Sequence, residues 1–304
     1  MATKSKRVAH QLSRANISGL RIRSIAAQTA RDGIANLNAQ LRTRYRQELV
    51  IRQRAERESA NALAPLITIV QQDKTAAQAL LRRRRLLDSR PKPKPAYPKV
   101  LKNIESHLRA GSILNVVTAP YDYAWGDHSP DNQQTWGTWG ADSTRAEFST
   151  TDYVHSGGSA WASAGIGTYF VPAGTRGSTY VRVGLYAPYN YDWSDDSSFE
   201  TAHTDGFMGI FVQSWDLNGG DPQIEIDRRI SLWSDGSDWT NSHSDSGSGY
   251  YPSDTYFFAW SSRQYAIWAW CNTSGDGSSG SIAYSYASGQ ISVSMPFMVI
   301  EQWI

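Results

Sequence analysis

A pair of carboxylates two positions apart is the arrangement in this sequence that comes nearest to acid–base chemistry. Glu225 and Asp227 lie in a run of alternating apolar and polar residues, which predicts a β-strand with both side chains on one face. Carboxylates roughly 6–7 Å apart resemble the pair that glycosidases use. Arg229 follows on the same face and would offset both acids on a solvent-facing strand. We therefore predict no catalytic residue and no enzyme activity.

Two histidines, His203 and His243, are each followed two residues later by an aspartate. Such a pair could form a catalytic dyad or supply two ligands of a metal site. No second ligand spacing accompanies either pair, and the surrounding polar residues are typical of loops in which His and Asp support turns. We predict neither a metal site nor a cofactor from these histidines.

The acidic loops of the second half of the chain would bind calcium weakly at most. The segment 216–221 resembles part of a calcium loop, but its sixth position is Asp221 rather than the glycine that an EF-hand requires. Further acidic residues that could take part are Asp195, Asp196, Asp235 and Asp238.

Seven tryptophans lie in or beside polar segments, which makes them candidate ligand-binding residues. An exposed indole can stack on a sugar ring while neighbouring polar groups bond the hydroxyls, and it can equally anchor a protein–protein interface. We expect about half of these indoles to fill a core poor in leucine and isoleucine instead. Trp161, Trp268 and Trp270 lie in regular alternating runs and are core candidates first. The candidate binding residues are Trp125, Trp136, Trp139, Trp193, Trp215, Trp233 and Trp239.

Four consecutive arginines form the strongest local signal for anion docking: Arg82, Arg83, Arg84 and Arg85. Four successive residues of a helix cover more than one full turn, so the run would project positive charge all round. The chemistry fits nucleic acid, an anionic lipid surface or an acidic protein. No zinc-ligand pattern, helix-turn-helix or interleaved aromatic residue accompanies the run, so sequence-specific DNA reading is not expected.

Charge divides the chain into two parts that demand different partners. Residues 1–111 hold 24 of the 30 Lys and Arg and 7 of the 28 Asp and Glu, a net charge of +17. Residues 112–304 have a net charge of −15 and contain all 12 tryptophans. An asymmetry of this kind is typical of two modules, one of which meets an anionic partner.

The basic part is predicted to be helical. Leu37, Leu41, Tyr45 and Leu49 recur every four residues and share one helix face, and Pro65 ends or kinks that helix. A narrow apolar stripe on a charged helix needs a partner, so residues 1–90 are predicted to form a helical hairpin or an oligomerisation bundle. Alternating proline and lysine in 91–99 predict a semi-rigid linker, and a short helix is expected over 100–111.

The acidic part, residues 112–304, is predicted to be an antiparallel β-sandwich or jelly roll. Short alternating runs separated by Gly, Ser, Asn, Asp and Pro predict at least eight strands without intervening helices. Val181, Val183 and Leu185 share one strand face, and Met208, Ile210 and Val212 share another. The whole chain is thus predicted to be an α+β multidomain protein.

No stretch of the sequence is apolar enough to span a membrane, and no secretory signal is recognised, so a cellular compartment is not predicted. The single cysteine, Cys271, excludes an intramolecular disulfide framework.

These features favour a non-enzymatic assembly or adhesion protein that forms homo-oligomers. Its basic helices would oligomerise or dock on a polyanion, and its sandwich would bind carbohydrate or a surface protein with the avidity of several copies. The alternatives are a capsid-like structural protein whose basic segment faces nucleic acid, and a toxin or pore-former with a receptor-binding sandwich. A carbohydrate-active enzyme using Glu225 and Asp227 ranks last.

Overall fold

The computed structural model describes residues 112–303, except 174–176, 199, 218–219, 239–240, 252–253 and 279–283, together with isolated positions between 54 and 85. Those isolated positions do not establish the helical hairpin or bundle predicted for residues 1–90, which stays a prediction. The linker 91–99 and the short helix 100–111 lie outside the described residues.

Fourteen antiparallel strands make up most of the described chain, so the predicted β-sandwich is confirmed. The strands are β1 (Ser112–Thr118), β2 (Tyr123–His128), β3 (Thr135–Asp142), β4 (Glu147–His155), β5 (Gly158–Phe170), β6 (Ser178–Tyr186), β7 (Pro188–Ser198), β8 (Thr201–Asp216), β9 (Gln223–Asp238), β10 (Ser242–Tyr250), β11 (Asp254–Trp260), β12 (Arg263–Gly277), β13 (Tyr284–Ser294) and β14 (Phe297–Trp303).

The strands form three sheets. Sheet I has the order β2-β5-β12-β8-β9, sheet II the order β10-β7-β13-β4-β3, and sheet III the order β1-β14-β6-β11. Sheets I and II pack face to face, with β4 lying against β5 and β12. Each has five strands, which is an ordinary size for one layer of a sandwich.

Sheet III continues sheet II through a bend in the chain. β6 runs into β7 across Ala187, and β13 runs into β14 across Met295 and Pro296. β10 and β11 are likewise consecutive in the chain. The strand order β10-β7-β13 of sheet II therefore matches the order β11-β6-β14 of sheet III. Sheets II and III together are therefore one bent layer.

The core lies between sheet I and this bent layer and is filled by alternate residues of the strands, although β12 and β13 are buried at nearly every position. Val181 and Val183 of β6, Ile210 of β8, Ile267 of β12 and Ile291 of β13 are fully buried in one cluster. The strand faces predicted around Val181 and Ile210 are thus the faces that the fold buries. Because every second residue of a strand points away from the core, each of these strands also presents an outward row.

The lone cysteine, Cys271 of β12, belongs to the same core, and burial raises its pKa to about 12. A thiol held in this protonated state is a poor nucleophile and metal ligand.

Within the described part of the chain, no helix has the length and apolar content needed to cross a bilayer.

Candidate functional site

The outward row of sheet III is an exposed aromatic surface, which we call the aromatic face. It faces away from the core because its residues alternate with buried ones such as Val181, Phe257 and Ile300. The exposed members are Tyr256, Phe258 and Trp260 of β11 and Tyr250 at the adjoining end of β10. They pack with the partly buried rings Tyr180, Tyr186 and Trp303 and the buried ring Phe297.

Strand register places these rings in rows across the sheet. Phe258 of β11 pairs with Tyr180 of β6, which pairs with Trp303 of β14. One row along, Tyr256 pairs with Arg182, which pairs with Glu301. Cross-strand neighbours lie close enough for their side chains to touch, so an aromatic row flanks a charged row.

Ring packing organises the aromatic row. Tyr180, Trp303 and Tyr256 form a cluster of nearly parallel rings: the centroid of Tyr180 lies 4.6 Å from that of Trp303 and 5.5 Å from that of Tyr256, and the latter two are 6.0 Å apart. Phe258 contacts Tyr180 at 5.1 Å in a tilted arrangement. Offset and tilted aromatic contacts of this kind hold rings in fixed positions. The row is therefore an ordered surface and not a set of loose side chains.

An ion-paired arginine lies beside the aromatic row. Arg182 donates to Asp254 Oδ1 from Nε at 2.9 Å and lies 2.8 Å from it through Nη2, and it donates to Glu301 Oε2 from Nη1 at 3.2 Å. Burial alone would lower the pKa of Arg182, but the hydrogen bonds to Asp254 and Glu301 raise it. The guanidinium is thereby held charged and planar, with part of its edge open to ligand.

Exposure of the apolar rings sets this surface apart. Phe258 is 60 % exposed and Trp260 is 50 % exposed, and both are on β11, an edge strand of sheet III. Tyr250 and Tyr256 are also exposed. Contiguous exposed aromatic area of this kind commonly marks a site where a ligand or partner binds.

The structure buries five of the seven tryptophans proposed from sequence. Trp125, Trp136, Trp193, Trp215 and Trp233 are between 1 % and 8 % exposed, although their polar neighbours in the chain suggested exposed indoles. Trp139 is 41 % exposed at β3, and Trp239 lies outside the described residues. Their role as a binding set stays a prediction.

Glycines on neighbouring strands explain two of these burials. An added Cβ at Gly165 would lie 2.8 Å from Trp125, and one at Gly206 would lie 2.1 Å from Trp233. The missing side chain lets each ring lie down across the adjacent strand, as in the aromatic rescue of strand glycines. Trp233 also donates from Nε1 to Thr204 Oγ1 at 3.1 Å.

Of the arginine run, Arg82 and Arg85 are described and both are exposed, whereas Arg83 and Arg84 lie outside the described residues. Anion docking by this run stays a prediction.

The carboxylate pair has ordinary structural partners. Glu225 accepts a hydrogen bond from Ser214 at 2.5 Å, and Asp227 lies 3.4 Å from Arg229. Among the described residues of 216–221, Asp216 Oδ1 accepts a hydrogen bond from the N–H of Gly220, and Asp221 pairs with Arg263.

Both His-x-Asp segments lie in strands, which corrects their interpretation as loops. Edge strand β10 is almost entirely Ser, Gly, Asp and His, so it carries no apolar alternation to reveal it. His203 faces Asp205 with Nε2 to Oδ2 at 3.0 Å. His243 instead faces Asp195 and Asp235, and burial raises the pKa of Asp195 to about 6.

No family model and no curated protein sequence matches this chain. Three solved structures are similar to it at low scores. A carbohydrate-binding module of the β-sandwich superfamily has 7 % identity and a TM-score of 0.18, with 62 % of this chain and 56 % of that chain covered. TmCBM61 in complex with β-1,4-galactotriose has 11 % identity and a TM-score of 0.14, with 54 % and 86 % covered.

The third is the structure of infectious bursal disease virus Gx strain, with 10 % identity, a TM-score of 0.14, and 68 % of this chain and 40 % of that chain covered. This chain thus spans about half the length of the first of these structures. Scores of this size carry no argument about ligand or assembly, so the function must be argued from the residues of the aromatic face.

Proposed function

We propose that this protein is a non-enzymatic binding and assembly protein whose sandwich binds carbohydrate through the aromatic face. The observation that carries the proposal is the row of exposed rings Tyr256, Phe258 and Trp260 along β11, whose first member lies directly opposite the ion-paired Arg182. On this surface an aromatic ring and a charged hydrogen-bonding group lie on neighbouring strands, whose backbones are about 5 Å apart.

A sugar has matching chemistry. Its ring presents C–H groups on its faces and hydroxyls around its edge, so it can contact an aromatic side chain while bonding to polar groups. Arg182 can donate to hydroxyl oxygens, and Asp254 can accept from hydroxyl hydrogens, since its side chain is 47 % exposed. Glu301 is 1 % exposed and serves to hold the arginine.

The basic segment supplies the assembly part of the proposal. Residues 1–111 have a net charge of +17, against −15 for residues 112–304. A basic segment 1–90 that oligomerises or docks on a polyanion through Arg82, Arg83, Arg84 and Arg85, joined by the linker 91–99, would display several sandwiches at once. Several weak sugar sites on one particle gain avidity without new contacts.

Glycan-array binding of the full-length protein tests the sugar site. We expect Phe258→Ala and Trp260→Ala each to weaken binding to array glycans by about tenfold, because an alanine cannot cover a sugar ring. Ile224→Ala is the matched control, since Ile224 is 64 % exposed and belongs to β9 of sheet I, not to the aromatic face.

Two outcomes would overturn the proposal: an array without any bound glycan, or bound glycan that both aromatic-face variants retain at wild-type affinity. Trp139→Ala separates this site from the tryptophan set proposed from sequence, because Trp139 is the exposed member of that set in the described chain. Loss of binding in Trp139→Ala alone would move the site to β3.

A capsid-like role is the second candidate, and the charge split favours it because a basic segment can neutralise nucleic acid. Size-exclusion chromatography with light scattering, read at 260 and 280 nm, distinguishes the two. A large particle carrying nucleic acid would favour the capsid-like role, and a defined oligomer free of nucleic acid would favour display of the sandwich.

A further inference from the structure

Three potential metal ligands from three strands meet where the chain crosses from sheet I to sheet II. Asp195 belongs to β7, Asp235 to β9 and His243 to β10. Asp195 is the direct cross-strand partner of His243, and Asp235 approaches from the opposite layer. One ligand atom from each residue lies within 4.8 Å of the other two.

The measured separations fit one small cation. His243 Nδ1 lies 3.4 Å from Asp235 Oδ1 and 3.8 Å from Asp195 Oδ1. Ligands about 2.0–2.1 Å from a tetrahedral zinc ion are about 3.3–3.5 Å apart, so small side-chain shifts would bring all three atoms to bonding distance.

Hydrogen bonding does not account for the arrangement. Asp195 is fully buried, and neither of its carboxylate oxygens makes a hydrogen bond of normal geometry. The Nδ1 atom of His243 and the hydroxyl of Ser237 are also without a hydrogen bond. The His243 Nδ1 atom lies 3.8 Å from Asp195 Oδ1, beyond hydrogen-bonding distance, so the buried carboxylate is poorly compensated and a cation would supply the missing charge.

On the other side of the site, a backbone hydrogen bond fixes the carboxylate of Asp235. Its Oδ1 atom accepts a hydrogen bond from the N–H of Gly236 at 2.7 Å, which orients the carboxylate. Second contacts of this kind commonly fix the direction of a metal ligand.

We propose that Asp195, Asp235 and His243 bind one Zn²⁺ ion that joins the two layers of the sandwich. The imidazole selects zinc over calcium, because calcium takes six to eight oxygen ligands and this site offers one nitrogen and two carboxylates. Water or the nearby hydroxyl of Ser237 completes the coordination. The ion links β9 of sheet I to β7 and β10 of sheet II, so its role is structural.

Calorimetric titration of the full-length protein tests the site. The protein is treated with a chelator, dialysed, and titrated in parallel with ZnCl₂ and CaCl₂, and its melting temperature is recorded with and without each ion. We expect one Zn²⁺ per chain at this site, a higher melting temperature with zinc, and no comparable effect of calcium.

Two histidine variants make the matched comparison. His243→Ala should weaken zinc binding by more than about 100-fold and abolish the rise in melting temperature, since losing a ligand costs more than losing a group that only orients one. His203→Ala should bind zinc like the wild type, because His203 pairs with Asp205 on the outward face of β8. Asp235→Asn is the second variant if His243→Ala fails to fold, since the Asp235 side chain is 40 % exposed and can be changed with less risk to the core.

The proposal is overturned by a wild-type protein without a zinc-dependent rise in melting temperature, by stronger binding of calcium than of zinc, or by equal losses in the two histidine variants. In the first case the three side chains form a cluster that binds no metal. The sugar-binding proposal is independent of all three outcomes.

Discussion

Two tryptophans of sheet I, Trp125 and Trp233, differ from Tyr180 of sheet III in what lies opposite them on the next strand. Trp125 and Trp233 face glycines, lie down over the vacant positions and are buried. Tyr180 faces Phe258 and Trp303, so its ring stacks against other rings and the surface remains open. For these three rings, exposure follows the cross-strand partner more than the polarity of the neighbours along the chain.

The largest effect on stability is expected when a ring that lies over a glycine is removed. Trp233→Ala should lower the free energy of unfolding by about 4 kcal/mol, because a large buried side chain is lost and a cavity remains. Urea unfolding followed by circular dichroism measures the change. A loss below about 1 kcal/mol would mean that the ring contributes little to the core.

Adding a methyl group under the same ring should lower the free energy of unfolding by a smaller amount. In Gly206→Ala the new methyl group would lie 2.1 Å from the Trp233 ring, and we expect a loss of about 2 kcal/mol from overpacking. Gly247→Ala is the control, since its nearest neighbour is the hydroxyl end of Tyr191, at 2.7 Å. Equal losses in the same urea experiment would contradict the steric explanation.

Replacing a buried carboxylate near the Trp233 ring should instead raise the free energy of unfolding. Burial, and to a smaller extent the charge of Asp205, raise the pKa of Asp152 well above its usual value, although a hydrogen bond from Thr273 opposes the shift. The folded state therefore favours the protonated acid, and stability falls as pH rises above the unfolded pKa of 3.8.

Asp152→Asn should accordingly stabilise the protein at pH 7.5, by about 1 kcal/mol, and the gain should vanish near pH 3. Paired urea titrations of variant and wild type at several pH values measure the difference. A gain that does not depend on pH would show that folding does not raise the pKa of Asp152.

The smallest effect on stability is expected on the aromatic face. Phe258→Ala should change the free energy of unfolding by less than about 0.5 kcal/mol, because the ring is 60 % exposed and fills no core space. A loss like that of Trp233→Ala would remove the distinction between the two regions and assign the exposed ring a structural role.

The strands that could be predicted from sequence are those with regular alternation. Val181 and Val183 identified β6 and its buried face, and the sandwich followed from several such runs. β10 contains Ser, Gly, Asp and His with a single aromatic residue, Tyr250. It is held in place by pairing with β7, which a hydropathy pattern cannot predict. Edge strands with polar side chains of this kind avoid aggregation but leave no periodic signal.

The candidate sites were harder to predict because each is built across strands. Tyr256, Phe258 and Trp260 alternate with apolar residues of the buried face, so the run is hydrophobic throughout and does not show which face is exposed. Asp195 and His243 are 48 positions apart in the numbering and meet only through the pairing of β7 with β10. No local spacing contains that information.

The bend between sheets II and III also has a mechanical meaning. Because β6, β11 and β14 continue into β7, β10 and β13, tension on a bound ligand passes from the aromatic face into the sandwich along covalent chain and hydrogen-bond ladders. A separately hinged binding domain would yield first at its linker. Here the strands of the face that would hold a ligand continue into the strands that form the core. A force on the bound ligand would therefore be carried directly by the core.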